Sequence, residues 1–169
     1  MKPYLLRTSF LLSLAALIVV LDQWTKLLVV NSLMLEERIE LIPHFFDLTY
    51  VRNYGAAFGI FSRFSPSIRQ MVLLGLPSLI LIFLLALYFW KDFQSRLPTA
   101  SLALIISGAL SNLIDRSAQG FVVDFLDFNL GITHWPAFNL ADSCVTVGGI
   151  LLLVHFSFFH QKHASPSSV

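Results

Sequence analysis

The sequence predicts an α-helical membrane protein with four transmembrane helices. Hydrophobic residues make up 56% of the 169-residue chain and charged residues only 12%, a composition typical of membrane proteins rather than soluble domains. Four apolar stretches approach the roughly 20 residues that a helix needs to cross the hydrocarbon core. We expect them to form a single integral membrane domain over residues 1–169.

The first predicted helix covers residues 8–30. Lys2 and Arg7 precede its apolar run, as in a secretory signal peptide. No small-x-small cleavage site follows that run, which favours an uncleaved membrane anchor.

The other three predicted helices cover residues 70–90, 98–114 and 138–159. The second lies between Arg69 and Lys91, and Pro77 is expected to kink it. The third is short and ends in a polar cluster that consists of Ser111, Asn112, Asp115 and Arg116.

Positive charges predict the orientation of the chain. An even number of spans places both termini on one side, together with the short loop 91–97. These segments hold Lys2, Arg7, Lys91, Arg96 and Lys162, so we expect both termini to be cytoplasmic. The two longer connections are then extracytosolic.

Both longer connections contain strand-like sequence. In residues 46–51, Phe46, Leu48 and Tyr50 alternate with Asp47, Thr49 and Val51, which predicts a short strand. Residues 55–59 predict a tight turn of small residues. Residues 121–128 are apolar except for Asp124 and Asp127, which places this segment at the headgroup level. Together the two segments predict a small extracytosolic sheet and flap over the helix ends.

Several ionisable residues are predicted at membrane depth, where each needs a partner or a function. Asp22 lies about 21 Å into the first helix, with Lys26 one turn further on. This spacing favours an intrahelical ion pair that orients the outer end of the helix, with Lys26 extending outward. Asp115 needs a cation at the end of the third helix, and Arg116 or Lys26 can supply it.

Two further aspartates have different local explanations. If Asn139 caps the fourth helix, Asp142 falls at the third helical position and can close a capping box. Asp124 has no cap to make, because it stands inside an apolar segment. A second carboxylate facing it would supply the two groups that water activation and amide protonation require. Asn112 and Ser111 fit either helix packing or substrate contact.

The sequence also argues against some classes of site. The five histidines lack metal-ligand spacing, so we expect no metal and no cofactor. Cys144 is the single cysteine, which rules out an internal disulfide. A net charge of +1 with scattered arginines makes nucleic acid an unlikely partner.

Five ordered motifs resemble those of the lipoprotein signal peptidases, also called signal peptidase II. They run from the first span to the last, which is far more specific than one short match. Ser107 and Ser111 depart from the Gly-Gly-Ala-x-Gly-Asn form common in that family, a change expected only to alter helix contact. The motifs are Asp22-Gln-Trp-Thr-Lys26, Arg52-Asn53-Tyr-Gly55-Ala56-Ala57-Phe58-Gly59, Gly108-Ala109-Leu-Ser-Asn112-Leu-Ile-Asp115-Arg116, Val122-Val123-Asp124-Phe125 and Phe138-Asn139-Leu-Ala141-Asp142.

The resemblance implies four transmembrane helices, an extracytosolic β-cradle and a short interfacial helix in the bacterial plasma (inner) membrane. It implies an intramembrane aspartic peptidase that cleaves prolipoproteins just before a diacylglyceryl-modified cysteine, near the extracytosolic face. Asp124 and Asp142 match the catalytic dyad. The matching substrate-site positions are Asn53, Gly55, Asn112, Arg116 and Asn139. Asp22, Lys26 and Asp115 are then structural or orienting residues.

The implied partners are diacylglyceryl-modified prolipoproteins, membrane lipids and cyclic peptide inhibitors of the globomycin type, and we expect a monomer. Two other functions stay open. A Ser-Lys peptidase would use Lys26 to activate Ser111, although no Gly-x-Ser-x-Gly turn supports it. A proton-coupled transporter or channel would spread its acids through the membrane depth, whereas these gather at one side. A purely structural partner protein ranks last.

Overall fold

The computed structural model describes residues 3–55, 61, 64–90, 95–131 and 135–159. Over these residues it contains four long helices, each long and apolar enough to cross a membrane, and a three-stranded sheet. The helices are α1 (Pro3–Ser32), α2 (Pro66–Trp90), α3 (Arg96–Gln119) and α4 (Leu140–Phe159). The strands are β1 (Arg38–Ile42), β2 (Phe46–Asn53) and β3 (Val122–Phe128).

The four predicted helices are confirmed, with different ends. α1 is longer than predicted at both ends, and α4 begins two residues later than predicted. The third helix was predicted to end at residue 114, but α3 continues to Gln119 and is capped by Gly120 with a φ of 81°. Asp115 and Arg116 therefore lie inside the last turns of α3, because glycine is the residue that ends the helix in the left-handed conformation.

The predicted sheet is also present, with one strand more than the sequence indicated. The strands are antiparallel in the order β1-β2-β3, so the two predicted strands are neighbours. β1 was not predicted, and every residue in it is exposed. In the β2–β3 register Asn53 is opposite Val122, and Val51 is opposite Asp124.

Two apolar clusters position these elements. The first joins α1, α2 and α3 inside the bundle and consists of Leu11, Leu81, Leu102, Ala103 and Ile106. The second joins the end of α1 to the sheet and consists of Val29, Leu33, Tyr50, Val123 and Phe125. Because the second cluster includes residues on both sides of Asp124, it fixes β3 against the end of the helix bundle.

α3 is the central helix, and it packs most closely on α4. Two glycines allow this approach. A Cβ atom at Gly108 would overlap the carbonyl oxygen of Ala141, and one at Gly148 would lie 2.7 Å from the carbonyl oxygen of Ser101. The close contact brings the last turns of α3 beside the first turn of α4.

Some predictions fall on residues outside those that the structure describes. These are residues 56–59 of the turn predicted at residues 55–59, and the charges of Lys2, Lys91 and Lys162. The implied interfacial helix is not among the elements of the described residues, and it stays an expectation.

Candidate active site

Asp124 lies in the middle of β3 and is 2% exposed. Val122 is two residues away on the same face of the strand, and its partner in the sheet is Asn53. This register brings Asn53 Nδ2 to 2.9 Å from Asp124 Oδ2, to which it donates a hydrogen bond. Asn139 Nδ2 donates to Asp124 Oδ1 at 2.7 Å. Both oxygens of this buried carboxylate therefore have a donor.

Asp142 lies in the first turn of α4 and closes the predicted capping box. The Asp142 N–H donates to Asn139 Oδ1 at 2.9 Å, and the Asn139 N–H donates to Asp142 Oδ2 at 3.2 Å. Asp142 Oδ1 also accepts a hydrogen bond from Asn112 Nδ2 at 2.8 Å. The cap does not account for this second contact, which links Asp142 to α3.

Three asparagines hold the two carboxylates, and each has only one possible amide orientation. The amide oxygen of each accepts from a group that can only donate, so its nitrogen must point to a carboxylate. The three asparagines are Asn53, Asn112 and Asn139. Their fixed donors are the Gly55 N–H at 2.9 Å, the Lys26 ammonium at 3.0 Å and the Asp142 N–H at 2.9 Å.

The charge of Asp142 acts on Asp124. Burial, followed by the neighbouring charge of Asp142, raises the pKa of Asp124 to about 7. The hydrogen bonds from Asn53 and Asn139 and the charge of Lys26 act in the opposite direction. A raised pKa keeps the Asp124 carboxyl group protonated closer to neutral pH than an ordinary aspartate.

Arg116 connects α3 to the segment that follows β2. Its guanidinium donates to the Gly55 carbonyl oxygen at 3.2 Å. The Arg116 Nε atom is buried and has no hydrogen-bond partner among the described residues. On the other side of this segment, the Arg69 guanidinium lies 5.4 Å from the centre of the Tyr54 ring. α2 and α3 therefore both contact the chain next to Asn53.

Lys26 is at the centre of a buried charge network. Its Nζ atom lies 2.6 Å from Asp22 Oδ2 and 2.7 Å from Asp115 Oδ2. The predicted i, i+4 ion pair is confirmed, and Lys26 is the cation that Asp115 needs. The expectation that Lys26 extends outward is wrong, since it is 3% exposed. The two carboxylates and Asn112 Oδ1 supply the contacts that water would otherwise provide.

Asp22 has a second role that the sequence analysis missed. Its Oδ1 atom accepts from the Ala141 N–H at 2.8 Å, which places a carboxylate at the N-terminus of α4. Ser111 Oγ donates to Asp22 Oδ2 at 2.7 Å and so has no contact with Lys26 of the kind a Ser-Lys dyad needs. Gln23 donates to Ser111 Oγ and to Asp115 Oδ1, at 3.0 Å and 2.8 Å. These partners follow from the packing of α1 against both α3 and α4.

Asp127, also in β3, belongs to a different site. It is directly opposite Asp47 in the sheet, and Arg38 Nη2 lies 2.7 Å from its Oδ2 atom. Arg38 also lies 3.5 Å from Asp47. This cluster joins all three strands. Within the part of the chain that the structure describes, no group of three or more His, Cys, Asp or Glu side chains is placed to hold a metal ion.

Comparison with known proteins gives consistent matches along most of the chain. The family model for signal peptidase (SPase) II matches residues 14–158. A lipoprotein signal peptidase of Desulforapulum autotrophicum is 46% identical over 144 residues, which is 85% of this chain and 89% of the relative. One from Syntrophotalea carbinolica is 43% identical over 149 residues, covering 86% and 90%.

Two solved structures of bacterial membrane enzymes share this fold. A bacterial membrane enzyme structure determined by the in meso method at 2.3 Å resolution superposes with a TM-score of 0.81 at 33% identity, and the match covers 95% of this chain and 94% of that one. A second bacterial membrane enzyme, solved in the same way at 1.9 Å, gives a TM-score of 0.77 at 35% identity, with 89% and 94% covered.

Proposed function

The chain belongs to the signal peptidase II family of membrane proteases, which process prolipoproteins, and on that premise we propose that it is an aspartic endopeptidase using Asp124 and Asp142. Its substrates are bacterial prolipoproteins, and the cut falls just before the diacylglyceryl-modified cysteine. One observation carries the mechanism. The buried Asp124 of β3 and the half-buried Asp142 of α4 are bridged by Asn139, which donates to both.

The proposed chemistry is hydrolysis by a water held between the two carboxylates. The water oxygen bonds to the scissile carbonyl carbon while the ionised carboxylate takes one water proton. The protonated carboxylate hydrogen-bonds the carbonyl oxygen and then gives a proton to the leaving nitrogen as the C–N bond breaks. The products are a signal peptide with a new carboxyl terminus and a lipoprotein with a free cysteine amine.

The surrounding residues support a substrate path from the membrane. The lipid chains of the substrate stay in the bilayer, and the peptide enters beside the sheet. Arg116, whose guanidinium donates to the Gly55 carbonyl oxygen, is the cation beside this path. Gly55, Asn53, Asn112 and Asn139 complete the substrate site. Cyclic peptides of the globomycin type would compete for it.

The proposed setting is the bacterial inner membrane, with a monomer whose sheet and active site lie on the extracytosolic side. The Ser-Lys peptidase is disfavoured, because the Ser111 hydroxyl donates to Asp22 rather than to Lys26. The acidic residues of the site lie together at one end of the helix bundle and are hydrogen-bonded to neighbouring side chains. A proton pathway would need acidic residues spread through the membrane depth, so this arrangement favours a peptidase.

The decisive experiment follows release of the signal peptide from a lipidated prolipoprotein by the purified protein. Asp124→Asn and Asp142→Asn each keep the side-chain shape but remove the ability to ionise, so each should abolish release while substrate binding survives. The double variant should be little worse than either single one, because the residues act as a unit.

Asp127→Asn is the matched control, since Asp127 is an equally buried aspartate in the same strand. It contacts Arg38 rather than the pair, so this change should lower thermal stability but leave substantial cleavage. Near-normal release by Asp142→Asn would contradict the mechanism and reduce Asp142 to a helix cap.

A further inference from the structure

A single residue, Asn112, connects Lys26 to the proposed catalytic pair by hydrogen bonds. Its ammonium donates to Asn112 Oδ1 at 3.0 Å, and Asn112 Nδ2 donates to Asp142 Oδ1 at 2.8 Å. Lys26 and Asn112 are 3% and 8% exposed. The contact is therefore shielded from water, which strengthens its electrostatic effect.

The chemistry of the two groups fixes the direction of this link. An ammonium has three donors and no acceptor, so the oxygen of the Asn112 amide must face Lys26. The amide nitrogen must then face Asp142. Without the ammonium, only the longer hydrogen bond from Asn139 Nδ2, at 3.3 Å, holds the amide oxygen in place. The amide can then turn its oxygen toward a protonated Asp142 carboxyl group more readily, and that arrangement favours the neutral acid.

We propose that Lys26 is a positioning residue that acts through Asn112 to place the negative charge of the pair on Asp142, leaving the shared proton on Asp124. This assignment rests on the proposed function and deepens it, because it makes Asp142 the base toward water and Asp124 the acid toward the substrate.

The environment of each carboxylate supports the assignment. Asp142 lies in the first turn of α4, where the helix dipole favours negative charge. Asp124 lies between buried apolar residues of β3, and its two hydrogen-bond donors are neutral amides. The other charged groups around the pair are Asp22 and Lys26 on α1 and Asp115 and Arg116 on α3.

Asp22 and Asp115 hold Lys26 in place for this role. They contact its Nζ atom from α1 and α3, and the ammonium keeps one donor for Asn112. Removing Lys26 alone would leave two buried carboxylates without a cation, which threatens folding. The test therefore needs a variant that keeps the ion pairs and breaks only the link.

The first measurement is the pH dependence of kcat/KM for Lys26→Met, Lys26→Arg and Asn112→Ala, with folding checked by thermal unfolding in detergent. The acidic limb of the pH profile reports the pKa of the catalytic base. It should move to higher pH by about one unit in Lys26→Met, a roughly tenfold loss of activity on that limb. Asn112→Ala, which leaves the Lys26 ion pairs intact, should move it similarly. Lys26→Arg should restore most of the wild-type profile.

Gln23→Leu is the matched control. Gln23 lies on the same helix and donates to Ser111 and Asp115 in the same network, but it does not contact Asn112. This variant should lose stability and keep both limbs at their wild-type positions. A Lys26→Met protein with lower activity but an unmoved acidic limb would overturn the proposal and make Lys26 a purely structural ion-pair residue.

A second measurement does not need turnover. Infrared titration of the protonated carboxyl band in Asp124→Asn follows Asp142 alone, and loss of the band in Asp124→Asn/Asp142→Asn assigns it. Adding Asn112→Ala should move that titration to higher pH, and an unchanged titration would overturn the proposal even if the variants are inactive. If the wild-type protein failed to cleave a lipidated prolipoprotein, the proposed function would fail while this titration still decided the role of Lys26.

Discussion

Asparagine is the residue that organises this site. Asn53, Asn112 and Asn139 come from β2, α3 and the start of α4, yet all three direct an amide nitrogen to one of two carboxylates. A neutral donor can hold an acid without fixing its charge as a lysine would. The two aspartates are thus held in position by neutral side chains that leave either one able to carry a proton.

Asn53→Ala should change the pH dependence of cleavage in a specific direction. The Asn53 hydrogen bond lowers the pKa of Asp124, which is about 7 in the intact protein, so its loss raises that pKa further. Because the proton of Asp124 is needed for catalysis in the proposed mechanism, the basic limb of kcat/KM should move to higher pH by about one unit.

A second asparagine provides the control for that experiment. Asn129 Oδ1 accepts from the Gly131 N–H at 2.9 Å, the same local turn that Asn53 forms with Gly55. Asn129→Ala removes the turn without removing a donor to Asp124. Initial rates between about pH 5 and pH 9 should therefore show a moved basic limb for Asn53→Ala only. Equal profiles for the two variants would contradict the role given to Asn53.

At the level of elements, the contact between α3 and α4 sets the position of Asp142. Gly148 faces α3, and an added Cβ would lie 2.7 Å from Ser101 O and 2.9 Å from both Ile105 Cγ1 and Leu104 Cβ. Backbone and Cβ atoms cannot move aside as a flexible side chain can. Gly148→Ala should therefore destabilise the protein by about 1–3 kcal/mol and reduce cleavage.

The adjacent Gly149 has open space around its Cβ position. Gly149→Ala should be neutral or stabilising by up to about 1 kcal/mol, because alanine favours the helix. Thermal unfolding in detergent and cleavage rates measure both variants. If the two alanines lowered the unfolding temperature equally, the close packing of α3 on α4 would not be what holds Asp142.

The sequence predicted the elements better than it predicted their ends. Four spans followed from hydropathy, because lipid demands apolar residues. α3 was cut short because hydropathy falls at Asp115, whereas the helix continues because Lys26 neutralises that charge. β1 was missed because its five exposed residues bury no apolar face. Each error concerns a partner that only tertiary structure supplies.

The site was predicted in part for the same reason. The local sequence did not decide whether Asp142 caps α4 or has a catalytic role. In the structure Asp142 caps α4 and also accepts a hydrogen bond from Asn112. The pairing with Asp124 came from family resemblance. The contact of Lys26 with Asn112 depends on how α1 crosses α3, 86 residues apart in sequence, and no local pattern encodes that crossing.

For the whole molecule, the main prediction is its orientation in the membrane. Lysine and arginine density predicts that the termini and the 91–97 loop are cytoplasmic. Reporter fusions after Ser62 and after Gly131 should therefore report the extracytosolic side, and fusions after Phe93 and Gln161 the cytoplasm. A cytoplasmic signal from either of the first two fusions would contradict four spans in this orientation.

The bond from Asp22 to the Ala141 N–H also bears on the order in which the protein is made. These two residues are 119 positions apart, so at about 5–20 residues per second the ribosome adds Ala141 roughly 6–24 s after Asp22. Lys26, the ion-pair partner of Asp22 within α1, is only four residues away and is made long before α4. In the proposed mechanism Asp142 supplies the second carboxylate of the pair. On that mechanism, the nascent chain cannot cleave its neighbours before the first turn of α4 has been synthesised.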